Sequence, residues 1–270
     1  MNFTLRRIAL ASVTAITALT LSACATSPTG RSQLLLFPES QLDQMGVQAF
    51  AGMKENIKVS NKPIHNEYVQ CIANSITKHV AKSVFAGEWE VVVFDDPKVN
   101  AFALPGGKIG VYTGLLEVAV NQHQVAAVMG HEVGHVIAHH GNERVSTNAL
   151  IGAGQQAVNA ALEANQVASS QLIMAGLGLG AQYGVAMPFG RKHESEADEI
   201  GLELMAKAGF NPQESIELWT NMAKASGGKA PAEFFSTHPS NQTRIKDLQA
   251  NMAPALVAYK AAVTRPNCRK

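Results

Sequence analysis

NQHQVAAVMGHEVGHVIAHHG (Asn121–Gly141) places two histidines and a glutamate in the middle of a run with helical period. Val125, Val128, Met129, Val133, Val136 and Ile137 recur at helical spacing and form an apolar stripe. Asn121 is a good N-cap with Gln124 in the capping-box position, and Gly141 is the expected stop. Within this helix His131 and His135 lie four residues apart, so their side chains fall nearly one above the other. Two imidazoles so placed can meet one metal ion at about 2 Å from each nitrogen. Glu132 is rotated by about 100° from His131, which sets its carboxylate beside the ion, where it can take a proton from water. With 9 His and 16 Glu in 270 residues, chance yields only about 0.02 His-Glu-x-x-His runs. The arrangement therefore points to a metal site rather than coincidence.

A catalytic zinc ion takes three protein ligands and keeps a fourth position open. The acidic run Glu194-Ser195-Glu196-Ala197-Asp198-Glu199 supplies candidates on a second helix. Glu194 and Asp198 are i and i+4 and share a face, so one can bind the ion while the other accepts an imidazole N–H. Glu196 points to another side of that helix. His139 continues the His131/His135 face and His140 ends the helix; both read as structural or supporting. His238, before Pro239, reads by itself as a turn residue.

The rest of the chain supplies a frame. Helices are expected at Glu39–Ile57, Pro63–Ser83, Arg191–Ala208 and Pro212–Ala225, and from Ser240 to Ala262 with an interruption at Pro254. Trp89–Phe94 reads as a strand, and Asn100–Leu104 with Lys108–Tyr112 as a hairpin around Pro105-Gly106-Gly107. The expected fold class is α+β and mainly helical: the His-Glu-x-x-His helix, a second helix with candidate ligands, and a small sheet with an edge strand. Ala149–Gly190 is rich in Ala, Gly and Gln, and reads as a mobile element over a cleft, with a membrane span at Leu172–Leu179 as the rival reading.

The amino end carries an address. Arg6 and Arg7 precede the uncharged, mostly apolar run Ile8–Leu21, too short to span a bilayer, which ends in Leu21-Ser22-Ala23-Cys24. That ending resembles the bacterial lipobox. It implies a signal peptide over 1–23, lipidation of Cys24 and a flexible tether within 24–38, with Thr26–Ser32 as its loosest part. The catalytic domain is then expected over 39–262 and a short tail over 263–270. Ala25 after Cys24 lacks the Asp of an inner-membrane retention signal, so the expected address is the periplasmic face of the outer membrane in a Gram-negative bacterium. Cys71 and Cys268 can form a disulfide in that oxidising compartment, or Cys71 can be a buried thiol; the sequence leaves both open. The formal charge of +1 gives no basic field for nucleic acid.

His131-Glu132-Val133-Gly134-His135, followed 59 residues after His135 by Glu194-x-Glu196-Ala197-Asp198 and then by Thr237-His238-Pro239-Ser240 with Arg244, resembles the gluzincin metallopeptidases related to the CAAX prenyl protease and HtpX. With the lipobox, it looks most similar to their LoiP-like periplasmic lipoprotein members, and the resemblance implies a zincin-like catalytic domain, a mainly helical bundle beside a small sheet. The resemblance implies one zinc ion per chain held by His131, His135 and Glu194, with Asp198 supporting a ligand histidine. It implies Glu132 as the base, and His238 near the metal as a fourth ligand or an oxyanion donor. Asn100, Ala101, Phe102 and Ala103 are the candidate edge strand for substrate backbone. The expected activity is peptide hydrolysis on unfolded or misassembled envelope proteins. The rival is a zinc-stabilised chaperone or assembly factor of the outer membrane whose site is closed. No Gly-x-Ser-x-Gly run supports a serine hydrolase.

Overall fold

The computed structural model describes residues 24–167, 171, 173–175, 177, 187–225, 238 and 242–270. In chain order the described elements are β1 (Cys24–Thr26), β2 (Ser32–Leu34), α1 (Glu39–Asn56), α2 (Pro63–Thr77), β3 (Glu90–Phe94), β4 (Ala101–Leu104) and β5 (Lys108–Tyr112). They continue with α3 (Thr113–Val118), α4 (Gln122–Ile137), α5 (His140–Ala164), α6 (Met187–Lys207), α7 (Glu214–Ala225), α8 (Gln242–Ala250) and α9 (Met252–Ala261). The architecture is mainly helical with small sheets, as the hydrophobic periods require. No helix among the described residues is long and apolar enough to cross a membrane. The expected signal peptide over 1–23 lies outside the described residues, as does most of the suggested cover or span beyond Ala164.

The central sheet has the order β3-β5-β4, with β3 parallel to β5 and β4 antiparallel to it. Residues alternate between its faces with period two. Val93, Ile109, Val111 and Ala101 join the main core with α2 and α4, whereas Phe94, Tyr112 and Phe102 pack with Phe50 of α1 on the other face. The Pro105-Gly106-Gly107 turn works because both glycines take positive φ, 78° and 67°. The two edges of the sheet differ. β3 is covered by the Lys58–Ser60 segment through Ser60 N–H to Val93 O (2.8 Å) and Asp95 N–H to Lys58 O (2.7 Å). β4 has no such strand partner among the described residues, and the Ala101 N–H is taken by Asn100 Oδ1 (2.9 Å).

Helix α4 starts where the cap places it. Asn121 Oδ1 accepts the His123 and Gln124 N–H groups at 2.9 and 3.0 Å, and Gln124 Oε1 accepts the Val120 N–H. Its far end differs from the expectation of a stop at Gly141. The helix closes at Ile137, and His139 adopts the left-handed conformation (φ 54°), so that α5 begins at His140. A side chain rarely sits there without compensation, and His139 Nδ1 lies 3.2 Å from Glu39 Oε2. α4 then crosses α6 at contact distance: a Cβ on Gly201 would lie 2.6 Å from His131 N, and one on Gly130 2.7 Å from Gly201 O. This seam of bare backbone brings together the two helices that carry the candidate ligands.

Two further boundaries shift for local reasons. α2 ends at Thr77 rather than Ser83 because the following residues close successive turns, His79 N–H to Ile76 O and Val84 N–H to Ala81 O. The C-terminal helix breaks at Asn251, not at Pro254, because Pro254 occupies the first turn of α9, where its missing N–H is not needed. The expected cap Ser240 lies outside the described residues. The larger correction concerns the tether. Cys24–Thr26 pairs antiparallel with Ser32–Leu34, and the segment beyond docks on α5, with Leu36 N–H to Ser146 Oγ at 2.8 Å and Asn142 Nδ2 to Phe37 O at 2.7 Å. The tail is held too. Cys71 and Cys268 are disulfide-bonded with their Cα atoms 5.7 Å apart, and Gln122 bonds Pro266 O and the Cys268 N–H.

Candidate metal centre

The ligand face of α4 meets α6 at the glycine seam. His131 Nε2 and His135 Nε2 are 3.1 Å apart, Glu194 Oε2 is 3.3 Å from His131 Nε2, and Glu194 Oε1 is 3.5 Å from His135 Nε2. A tetrahedral ion held at about 2.0–2.1 Å from each donor separates its donors by roughly 3.3–3.4 Å. The three side chains therefore already trace one face of such a tetrahedron. His238 Nδ1 lies 3.3 Å from His131 Nε2 and 3.1 Å from Glu194 Oε2, so it stands at the fourth corner.

Charge makes the same case. Glu132, Glu194 and Asp198 are each at most 6% exposed, and the cation buried among them is Arg244, at 2%. A surplus of buried negative charge is costly unless a cation joins it. His131 registers that field. Burial and Arg244 both disfavour its protonation, yet Asp198 and Glu194 overcome them and raise it to about 9. Glu194 itself is held far below the usual carboxylate range: burial opposes its ionisation, and hydrogen bonds from His131 and His238 prevail. His135 is driven the other way, chiefly by burial and then by neighbouring His131, which keeps its ring neutral and able to ligate. Two histidines and a carboxylate in this geometry fit a divalent cation of the zinc class.

Glu132 turns its carboxylate towards the same space. Its Oε1 is buried and accepts no hydrogen bond from the described residues, with His238 Nε2 the neighbour at 3.3 Å. Burial pushes its carboxyl above the ordinary range, which suits a group that must receive a proton.

Each candidate ligand histidine is oriented through its other ring nitrogen. His131 Nδ1 meets Asp198 Oδ1 at 2.9 Å, and Asp198 is gripped by Arg244 through Nε (2.7 Å) and Nη2 (2.6 Å). Arg244 also lies over the Trp219 ring, 4.1 Å from its centroid. His135 Nδ1 meets His140 Nδ1 at 2.8 Å, and His140 Nε2 meets Glu196 Oε2 at 3.1 Å. The role of His140 follows from the left-handed turn at His139, which helical projection does not anticipate. Glu196 points away from the converging donors, as its place on the helix predicts, but it is not idle. It is 5% exposed and engaged by Thr29, Arg31 and His140. The local signal for Arg244 was its place four residues after Ser240; for Arg31 there was none.

The candidate substrate strand is close by. Ala103, Leu104 and Pro105 line a cavity of about 100 Å³ together with His135, Val136 and His140. The register pairs Phe102 with Gly110, and Asn100 O accepts the Tyr112 N–H, so Ala103 directs its N–H and C=O away from β5.

Residues 63–252 match the model for peptidase family M48. The chain is 40% identical over 185 residues to the mitochondrial metalloendopeptidase OMA1 of Arabidopsis thaliana, covering 67% of this chain and 36% of that one. It is 27% identical over 206 residues to metalloprotease YcaL of Escherichia coli, covering 76% and 78%. A third relative, the β-barrel assembly-enhancing protease of Escherichia coli, is 28% identical over 216 residues, covering 76% of this chain and 42% of that one. The chain spans between 36% and 50% of the length of its plant and yeast OMA1 relatives. The convergence of His131, His135 and Glu194 beside Glu132, within a stretch matched over 190 residues, makes this chain a member of peptidase family M48.

Proposed function

We propose that the chain is a zinc-dependent endopeptidase of the bacterial cell envelope that hydrolyses unfolded or misassembled proteins. The observation that carries this reading is Glu132, a buried carboxylate whose Oε1 accepts no hydrogen bond from the described residues, set beside three convergent metal donors. His131, His135 and Glu194 would hold one zinc ion. Zinc bound there supplies acidified water and a Lewis acid for the scissile carbonyl. Glu132 takes the proton of the attacking water on its carboxylate and returns it to the nitrogen of the leaving amine. Asn100–Ala103 lie on the edge that has no strand partner among the described residues, where Ala103 offers its N–H and C=O to an extended chain, and main-chain pairing reads a peptide without selecting its sequence. A paired substrate would run past His135 through the cavity that Ala103 lines.

The location rests on the lipobox-like ending at Cys24, with anchorage to the periplasmic face of the outer membrane, as in LoiP-like members. The Cys71–Cys268 bond supports an oxidising compartment. Kinship with the β-barrel assembly-enhancing protease supports envelope proteins as the substrate class. The test is cleavage of casein by the purified chain. Wild type is expected to cleave it, and Glu132→Gln to lose about 10²–10⁴-fold in rate at unchanged zinc content. Equal rates would refute the role of Glu132.

A second reading draws on one observation, His238 at the fourth corner. A centre closed in this way suits a zinc-stabilised chaperone or outer-membrane assembly factor. On the peptidase reading His238 must swing aside, so His238→Ala is expected to cleave a short peptide faster than wild type while retaining zinc. Loss of cleavage would instead make His238 an oxyanion donor, and silence from both proteins would favour the chaperone.

A further inference from the structure

The segment that the sequence offers as a spacer is built into the metal centre. Arg31 leaves the β1–β2 hairpin and reaches two buried carboxylates on different helices. Its Nη1 and Nη2 donate to Glu143 Oε1 and Oε2 of α5 at 2.6 and 2.7 Å, and its Nε and Nη2 donate to Glu196 Oε2 of α6 at 3.0 and 2.8 Å. Thr29 Oγ1 donates to the other oxygen of Glu196 at 2.6 Å. The chain of contacts continues inward with one consistent set of protons. If His135 gives its Nε2 lone pair to a metal, its Nδ1 must carry the hydrogen, which it donates to His140 Nδ1 at 2.8 Å. His140 Nδ1 is then an acceptor, so His140 carries its hydrogen on Nε2 and donates it to Glu196 Oε2 at 3.1 Å. The His140 ring is further fixed by stacking on His193, with centroids 4.0 Å apart, and His193 Nε2 donates to Glu143 Oε2 at 3.0 Å. Arg31 thus closes both ends of the network, and this arm mirrors the Arg244–Asp198 arm behind His131.

We propose that Arg31 is a positioning residue of the metal centre: by holding Glu196, it sets through His140 the tautomer and orientation of the ligand His135. The seating of Arg31 on Glu196 and tight retention of the metal are thereby coupled. Undocking releases Glu196 and His140 and loosens His135 while leaving all three ligands in place. This inference rests on the reading of His131, His135 and Glu194 as a zinc site.

The test measures zinc affinity by competition with a chromophoric chelator, using the full chain, together with the visible spectrum of the Co²⁺-substituted protein. Wild type is expected to bind one equivalent. Arg31→Ala is expected to bind zinc about 10–100-fold more weakly and to shift the Co²⁺ bands, as removal of a group that orients a ligand does. Arg31→Lys, which keeps the charge but not the fork, is expected to recover part of the loss. Ser146→Ala removes the bond from Leu36 N–H to the same segment without touching Glu196, so its zinc affinity is expected to stay within about twofold of wild type. Should Arg31→Ala fail to fold, Thr29→Val on the exposed turn removes a single bond to Glu196 and is expected to weaken zinc binding roughly threefold. Wild-type affinity with an unchanged Co²⁺ spectrum in Arg31→Ala, or in Thr29→Val should that stand in, overturns the inference alone. A wild-type chain that takes up no zinc overturns the zinc site, and the inference with it.

Discussion

At the scale of single residues, the metal centre is a balance of buried charges, and Arg244 is the residue on which that balance turns. It neutralises Asp198 and touches Glu194, with Nη1 3.2 Å from Oε2, while both carboxylates are almost wholly buried. Arg244→Met keeps most of the volume and removes the cation, leaving paired carboxylates uncompensated. The metal-free protein is expected to lose about 3–5 kcal/mol in urea unfolding. Excess zinc should restore part of this, because the ion supplies positive charge beside Glu194. A loss below about 1 kcal/mol in the metal-free form would show that the carboxylates are neutral or solvated. His131, Glu132 and His135 were legible in the sequence because their spacing on one helix fixes their mutual direction, whereas spacing only put Glu194 and Asp198 on one face and the family resemblance chose Glu194 between them. Glu196, His140 and Arg31 were not, because each acts across a turn or a docked segment; Arg31 meets partners 112 and 165 residues away.

At the scale of elements, the approach of α4 to α6 sets the ligand geometry. A Cβ on Gly201 would press on the backbone of His131, so Gly201→Ala should push the helices apart. The expected cost is about 1–3 kcal/mol of stability, with weaker zinc binding measured by the same chelator competition. Unchanged stability and affinity would mean that the seam yields without cost. The docked N-terminal segment should respond to acid. Burial raises the Glu143 carboxyl, but hydrogen bonds from Arg31 and His193 prevail and lower it from 4.5 to about 2. A depressed carboxylate pKa contributes stability above about pH 4.5 that disappears as pH falls towards 2. Amide exchange over residues 27–36, corrected for intrinsic rate, is therefore expected to stay slow at pH 5 and to accelerate below pH 4. Acceleration already between pH 7 and 6 would point to a histidine instead. Elements with a strong period, such as α1, α4 and the hairpin, were read from sequence to within a few residues. The hairpin at Cys24–Leu34 was missed because its polar residues look like a linker until their partners on α5 and α6 are known.

At the scale of the whole molecule, the described parts are tied at both ends to the helices that frame the centre. The Cys71–Cys268 bond spans 197 residues and fixes the tail to α2. Closing so long a loop restricts the unfolded chain, so reduction, or Cys71→Ala with Cys268→Ala, is expected to cost about 2–5 kcal/mol in thermal unfolding. A mutant as stable as wild type would show that other tail contacts suffice. The fold class was visible from helical and strand periods alone. The disulfide was not, because pairing needs a Cα distance that no sequence supplies. The central claim is that one zinc ion held by His131, His135 and Glu194 enables Glu132 to drive peptide hydrolysis. It is tested most directly by stripping the purified chain of metal and titrating zinc back while following cleavage of a quenched fluorogenic peptide. The account requires no cleavage in the stripped protein and a rise that reaches its plateau at one zinc per chain. Cleavage that survives stripping, or that never returns with zinc, would contradict it.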